Sequence, residues 1–263
     1  MTNRNHPGPR LVVRPVRKPK QKSLAGDSSP SGISFPDLPS MPGPLLKLQL
    51  ALNAPTADVA AISEAIRSDI GLAARFLPVA VRDVRALPEQ LPRFEELVIH
   101  LGLGRIRQLA AQAVILTRHP NGPTDLRACE RAWKRARLTA LAAEYLAART
   151  GAVDSDRAYV AGLFHHLGYC LRSLHRDGRH AQATDPHELG YLFACDWNFP
   201  EVILESMRQG KHEDPASNSQ LVREVVKTAV EWVLDVELQG IADAEYSQSL
   251  QCSDGFTTDA RKN

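Results

Sequence analysis

Long apolar runs are missing from this 263-residue chain: nothing approaches the roughly 18 consecutive apolar residues that a membrane-spanning helix needs. Near the N-terminus only Leu11, Val12 and Val13 are consecutively apolar, too few for the core of a signal sequence, so a cytoplasmic protein is expected. Cysteine is sparse. Cys129, Cys170, Cys195 and Cys252 lie far apart with no CxxC spacing, which excludes a zinc ribbon and a disulfide framework and leaves three core or helix-face thiols and one in the C-terminal tail. No segment alternates apolar and polar residues long enough to mark a strand. Nucleotide and hydrolase signatures are absent as well. Gly102 and Gly104 follow nothing strand-like and read as a helix junction, and no serine sits in a nucleophile elbow.

What is present is 43% hydrophobic residues, enough for a real core, and an uneven charge distribution. Residues 1–36 carry Arg4, Arg10, Arg14, Arg17, Lys18, Lys20 and Lys22 against Asp27 alone, so the overall charge of +2 leaves the remainder acidic. That stretch is rich in Pro, Gly and Ser and poor in large apolar residues, and it is expected to be a disordered basic tail. Such an arm attracts phosphates, anionic lipid or acidic partners through charge alone, and this is the only sequence feature favouring nucleic acid.

Apolar periodicity predicts an all-α fold of about ten helices over residues 37–238, followed by a polar tail, 239–263. Leu45, Leu46, Leu48, Leu50 and Leu52 mark the first helix. Thr56 is the expected N-cap of the second, with Val59, Ile62 and Ile66 on its buried face. Asp69 opens a third helix, which Pro78 should kink or shorten. The run from Arg93 to Leu116 reads as two helices broken near Gly102 and Gly104. The longest helix is expected from Asp125 to Arg149, its apolar face including Cys129, Trp133, Leu141 and Tyr145. A single helix should follow from Ser155 to His175. Asp185, Pro186 and Glu188 then fit N-cap, N1 and N3, which puts His187 in the first turn of a helix running to Trp197. Pro200 opens another. Leu221, Val225, Ala229, Trp232, Val233 and Val236 define the buried face of the last.

Several pieces in order resemble the HDOD family, a divergent branch of the HD superfamily of metal-dependent phosphohydrolases. They are Leu38-Pro39-Ser40-Met41-Pro42, Arg67-Ser68-Asp69, Leu101-Gly102-Leu103-Gly104-Arg105-Ile106, and Ala161-Gly162-Leu163-Phe164-His165-His166-Leu167-Gly168, which is similar to the family's AGLLHDIG. His187-Glu188-Leu189-Gly190 with Trp197-Asn198-Phe199-Pro200 is similar to its H-x-x-[LV]-G and W-x-[LF]-P elements. The resemblance spans roughly residues 37–238.

Two departures bear on function. Arg135, in Trp133-Lys134-Arg135-Ala136, stands where the resemblance implies a metal-binding histidine, and a guanidinium repels a divalent cation. His166 stands where the metal-bridging aspartate is implied, which removes the hard oxygen ligand. His165, His187 and His212 remain, and three neutral imidazoles would suffice for one zinc ion. Adjacent helical residues point about 100° apart, so His165 and His166 are not expected to face one pocket.

The resulting expectation is a vestigial HD-type site formed by Arg135, His165, His166, His187 and His212, with no cofactor and no catalysis. The resemblance implies a bacterial signalling or regulatory module that binds a protein partner or a small anionic ligand, such as a nucleotide held near Arg135. A residual metal-dependent phosphohydrolase and a surface binder acting through the basic tail are the alternatives. Arg135 is expected to pair with an acid of the chain itself, Asp185 or Glu188.

Overall fold

The computed structural model describes residues 37–83, 93–116, 126–174, 185–208 and 218–255. The basic tail, His175, His212 and the connection from 175 to 184 therefore lie outside the described residues. Ten helices run through the described chain: α1 Pro42–Asn53, α2 Val59–Arg67, α3 Ile70–Asp83, α4 Phe94–Ala111, α5 Leu126–Thr150, α6 Ser155–His165, α7 Leu167–Leu174, α8 Pro186–Asp196, α9 Glu201–Met207 and α10 Asn218–Gly255. The fold is all-α. Extended pairing among the described residues is confined to one bridge between Ser40 and Ile115, in which the Ser40 amide donates to the Val114 carbonyl at 2.8 Å and the Leu116 amide to the Ser40 carbonyl at 2.9 Å. None of these helices is long and apolar enough to cross a membrane.

Local chemistry explains where most helices start and stop. Asp58, not Thr56, caps α2, because its carboxylate is the one that accepts from the Ala60 amide. Asp69 accepts from Leu72 at the start of α3 and from the Met41 amide ahead of α1, which ties two helix entries to one buried carboxylate. Helix α3 continues through Pro78 to Asp83, so the proline does not end it. The expected break in α4 falls at Gly102, whose φ of 67° and ψ of 157° are accessible to glycine and strained for other residues.

Further expectations need correction. The helix expected from Ser155 to His175 is two, parted at His166 (φ −90°, ψ 5°). On α5 Cys129 and Trp133 are buried as expected, but Leu141 and Tyr145 are exposed, and Ala136 and Thr139 complete the buried face. The last helix buries Val222, Val226, Ala229 and Val233, and of the face expected from the sequence Leu221, Trp232 and Val236 are exposed. It also continues to Gly255, past the Gln239 boundary where the sequence turns polar.

The core divides in two. A large cluster joins α1–α9 around Leu48, Ile62, Leu72, Phe76, Ile106, Leu163, Phe164 and Phe193. A smaller one, built mainly of alanine and valine, glues α10 to α5 and α6 through Ala143, Ala147, Ala158, Val222, Val226 and Ala229. Small side chains let these three helices approach closely, and α6 packs more extensively on α5 than on any other helix. That packing places the end of α6 against the middle of α5 and leaves α8, α9 and α10 around it.

Candidate functional site

Asp154 caps α6 by accepting from the Arg157 amide at 2.8 Å, and the helix ends at His165. The break at His166 turns the chain into α7, where Gly168 meets the first turn of α8. A Cβ on Gly168 would stand 1.6 Å from the Pro186 carbonyl oxygen, so only glycine admits this crossing. Asp185 caps α8 by accepting from the His187 amide at 2.8 Å and the Glu188 amide at 3.3 Å. Together the cap and the glycine crossing set His187 beside His165.

The rings form a closed cluster. Centroids lie 4.6 Å apart for His165 and His187, 5.3 Å for His165 and His166, 5.7 Å for His166 and Tyr169, and 5.5 Å for Tyr169 and His187. His165 and His187 line a cavity; His166 is buried behind them, its Nε2 2.9 Å from the Thr139 hydroxyl of α5. The two neighbours therefore do not face one pocket, as expected, although the helix ends between them and their rings stay in contact. Burial, then the neighbouring His187 ring, pushes the His165 pKa down to about 4. Burial also pushes His166 down to about 3, helped by His165, Arg135 and His187. Both imidazoles are neutral at pH 7.

Arg135 lies one turn before Thr139 on α5. Its Nε donates to Glu237 Oε2 of α10 at 3.1 Å, and Nη2 donates to the same oxygen. The acid that answers Arg135 is thus neither Asp185, whose carboxylate caps α8, nor Glu188, which is exposed. Among the described residues no three His, Cys, Asp or Glu side chains converge in an arrangement able to hold a metal ion. Two rings, those of His165 and His187, face the cavity, and Arg135, bound to Glu237, stands where the resemblance implies a further histidine.

The cavity, about 510 Å³, opens between α6, α8, α9 and α10. Arg208, Arg223 and Lys227 stand around it with Glu224 and Glu231. Arg223 is held by donating to the Glu205 carbonyl at 3.0 Å and to Gln220 Oε1 at 2.8 Å, whereas Lys227 is exposed. The sequence offered no motif for these cations. Their only signal is the four-residue spacing of Arg223 and Lys227, ordinary for a solvated helix face.

An all-helical bundle whose α6–α7 break carries paired histidines, opposite a long helix bearing a Trp-Lys-Arg sequence, is the architecture of an HD-like domain. The chain belongs to the HDOD family: the model of the HDOD domain matches residues 38–176. That match ends before the stretch 187–200, so the likeness noted there lies outside it. Among solved structures the fold is similar to the MmoQ response regulator of Methylococcus capsulatus strain Bath, fragment 20–298, at 20% identity and a TM-score of 0.57, covering 75% of this chain and 84% of that one. A second structure of MmoQ gives 21%, 0.57, 74% and 85%. No curated protein sequence matches this chain significantly.

Proposed function

We propose that this HDOD protein is a regulatory module that works by binding and not by hydrolysis. The observation behind this reading is Arg135: at the position where the resemblance implies a metal-binding histidine, it forms an ion pair with Glu237, while His166, in place of the metal-bridging aspartate, turns to Thr139. A positive guanidinium and a neutral imidazole replace a lone pair and a carboxylate, so neither the affinity for divalent ions nor the activation of a water molecule is provided for. The response-regulator name carried by structures of the same fold supports a signalling role.

Metal analysis of purified protein beside a phosphodiesterase assay tests the reading. The expected result is far less than one equivalent of zinc, iron or manganese and no turnover. Stoichiometric metal that survives chelation, together with hydrolysis lost on His165→Ala, would restore the enzyme. The cavity favours a second, compatible element: its size suits a mononucleotide, and Arg208, Arg223 and Lys227 would favour an anion. Calorimetric titration with mononucleotides and cyclic dinucleotides should show saturable binding that weakens at least tenfold in Arg223→Glu. Heat that is unchanged by that substitution argues for a protein partner alone.

A further inference from the structure

The last helix has two apolar stripes, and the molecule uses one. Val222, Val226, Ala229 and Val233 are buried against α5 and α6. Turned by one residue from them, Leu221, Trp232 and Val236 form a second stripe in which Trp232 is 44% and Val236 56% exposed. It continues onto α5, where Tyr145 is 52% and Leu141 41% exposed, and the Tyr145 and Trp232 rings touch at 5.8 Å. No other described element covers this seam. Large aromatic and aliphatic groups gathered on one face, instead of scattered singly, are the mark of an interaction surface.

The charges bordering the seam indicate what covers it. On α5 the same outward face carries exposed Arg131, Lys134 and Arg149 against Glu130, a net basic face. Along α10 the seam is edged by exposed Glu224, Glu231 and Asp235 against Lys227 alone, a net acidic edge. A basic helix and an acidic helix side by side, sharing an apolar seam, form a self-complementary patch. A two-fold axis along the seam lays α5 of each copy over α10 of the other, so cations meet carboxylates at both edges while Trp232 and Tyr145 close the centre. We infer that the α5–α10 face is the interface of a homodimer. The inference holds whether or not the His165–His187 cavity takes a ligand.

Light scattering or sedimentation equilibrium on the full chain should give twice its 28.9 kDa. Trp232→Glu should return the mass to that of one chain with the helical circular dichroism unchanged, since Trp232 lies outside the core. A pair of charge-reversed variants separates self-association from any other partner. Arg131→Glu with Lys134→Glu sets acid against acid in a homodimer, and Glu231→Lys with Asp235→Lys sets base against base. Each should be monomeric alone, and an equimolar mixture should recover the doubled mass. A single-chain mass for the native protein at every concentration overturns the inference, as does a doubled mass indifferent to Trp232→Glu or a mixture that stays monomeric.

Discussion

Arg135 and His166 sit in different surroundings, one at the edge of the fold and one buried, and their consequences for stability differ accordingly. The Arg135–Glu237 pair is bonded well but lies at the edge of the fold, with the side chains 39% and 30% exposed. Solvent screening at such a site leaves a contribution below about 1 kcal/mol, so Arg135→Ala should shift the denaturation midpoint only slightly. A loss of several kcal/mol would mean that the pair is sealed from water. His166 is buried, and Thr139→Val deprives its Nε2 of the hydroxyl partner; urea denaturation should show a loss of about 1–3 kcal/mol. Acid should act through the same rings. His165 and His166 titrate near 4 and 3 when folded, below the ordinary 6.5, so on acidification the unfolded chain takes up protons first. Their contribution is intact above about pH 6.5 and is lost as the pH falls through 4 and 3. Burial raises the Asp69 carboxyl to about 6, which works in the opposite sense over part of this range. The test is therefore the difference between native protein and His166→Gln, whose melting temperature should fall less steeply between pH 6.5 and 4. Parallel acid limbs would show that His166 is not protonated on unfolding.

At the scale of elements, the α7–α8 crossing governs the site more directly than any residue lining it. Gly168 and Gly190 face one another there, and a Cβ on Gly168 would occupy the same space as the Pro186 carbonyl. Backbone cannot yield as a flexible side chain does, so Gly168→Ala should cost about 3 kcal/mol and move His187 away from His165. Thermal melting reads the first effect, and the histidine chemical shifts read the second. Asp185→Ala removes only the cap of α8 and should cost about 1 kcal/mol, leaving the crossing in place. If the two substitutions proved equally mild, close approach would not be what positions His187.

The whole molecule has an uneven distribution of apolar burial. Leucine, isoleucine and phenylalanine fill the large cluster, whereas α10 is held by a short row of valines and alanines that bury less area per residue. Local opening should follow that division, with amides of α3 and α6 exchanging only on global unfolding and those of α10 exchanging earlier. Hydrogen exchange followed by mass spectrometry checks this, and protection of α10 that rises with protein concentration is expected from the homodimer. Uniform protection across all helices would contradict the two-cluster picture.

How much of this was legible in the sequence depends on the range of the interaction involved. Helix class, the α4 break at Gly102 and the Asp185–Pro186 start of α8 follow from local rules, because caps and glycine backbone freedom act within a few residues. The resemblance pointed to Arg135, His165, His166 and His187 before any fold was known. Periodicity could not choose between the two apolar stripes of α10, since Val222 and Leu221 differ by one residue and both patterns recur every three or four. Only the neighbouring helices decide, by covering one stripe with Ala142, Ala143 and Ala147. The same limit hid Glu237 as the partner of Arg135 across 102 residues of sequence, and it hid the cavity cations. The sequence by itself determined which side chains are available and where helices begin. Which of them meet was decided by tertiary packing, because contacts between distant segments depend on helix crossings that no local pattern encodes.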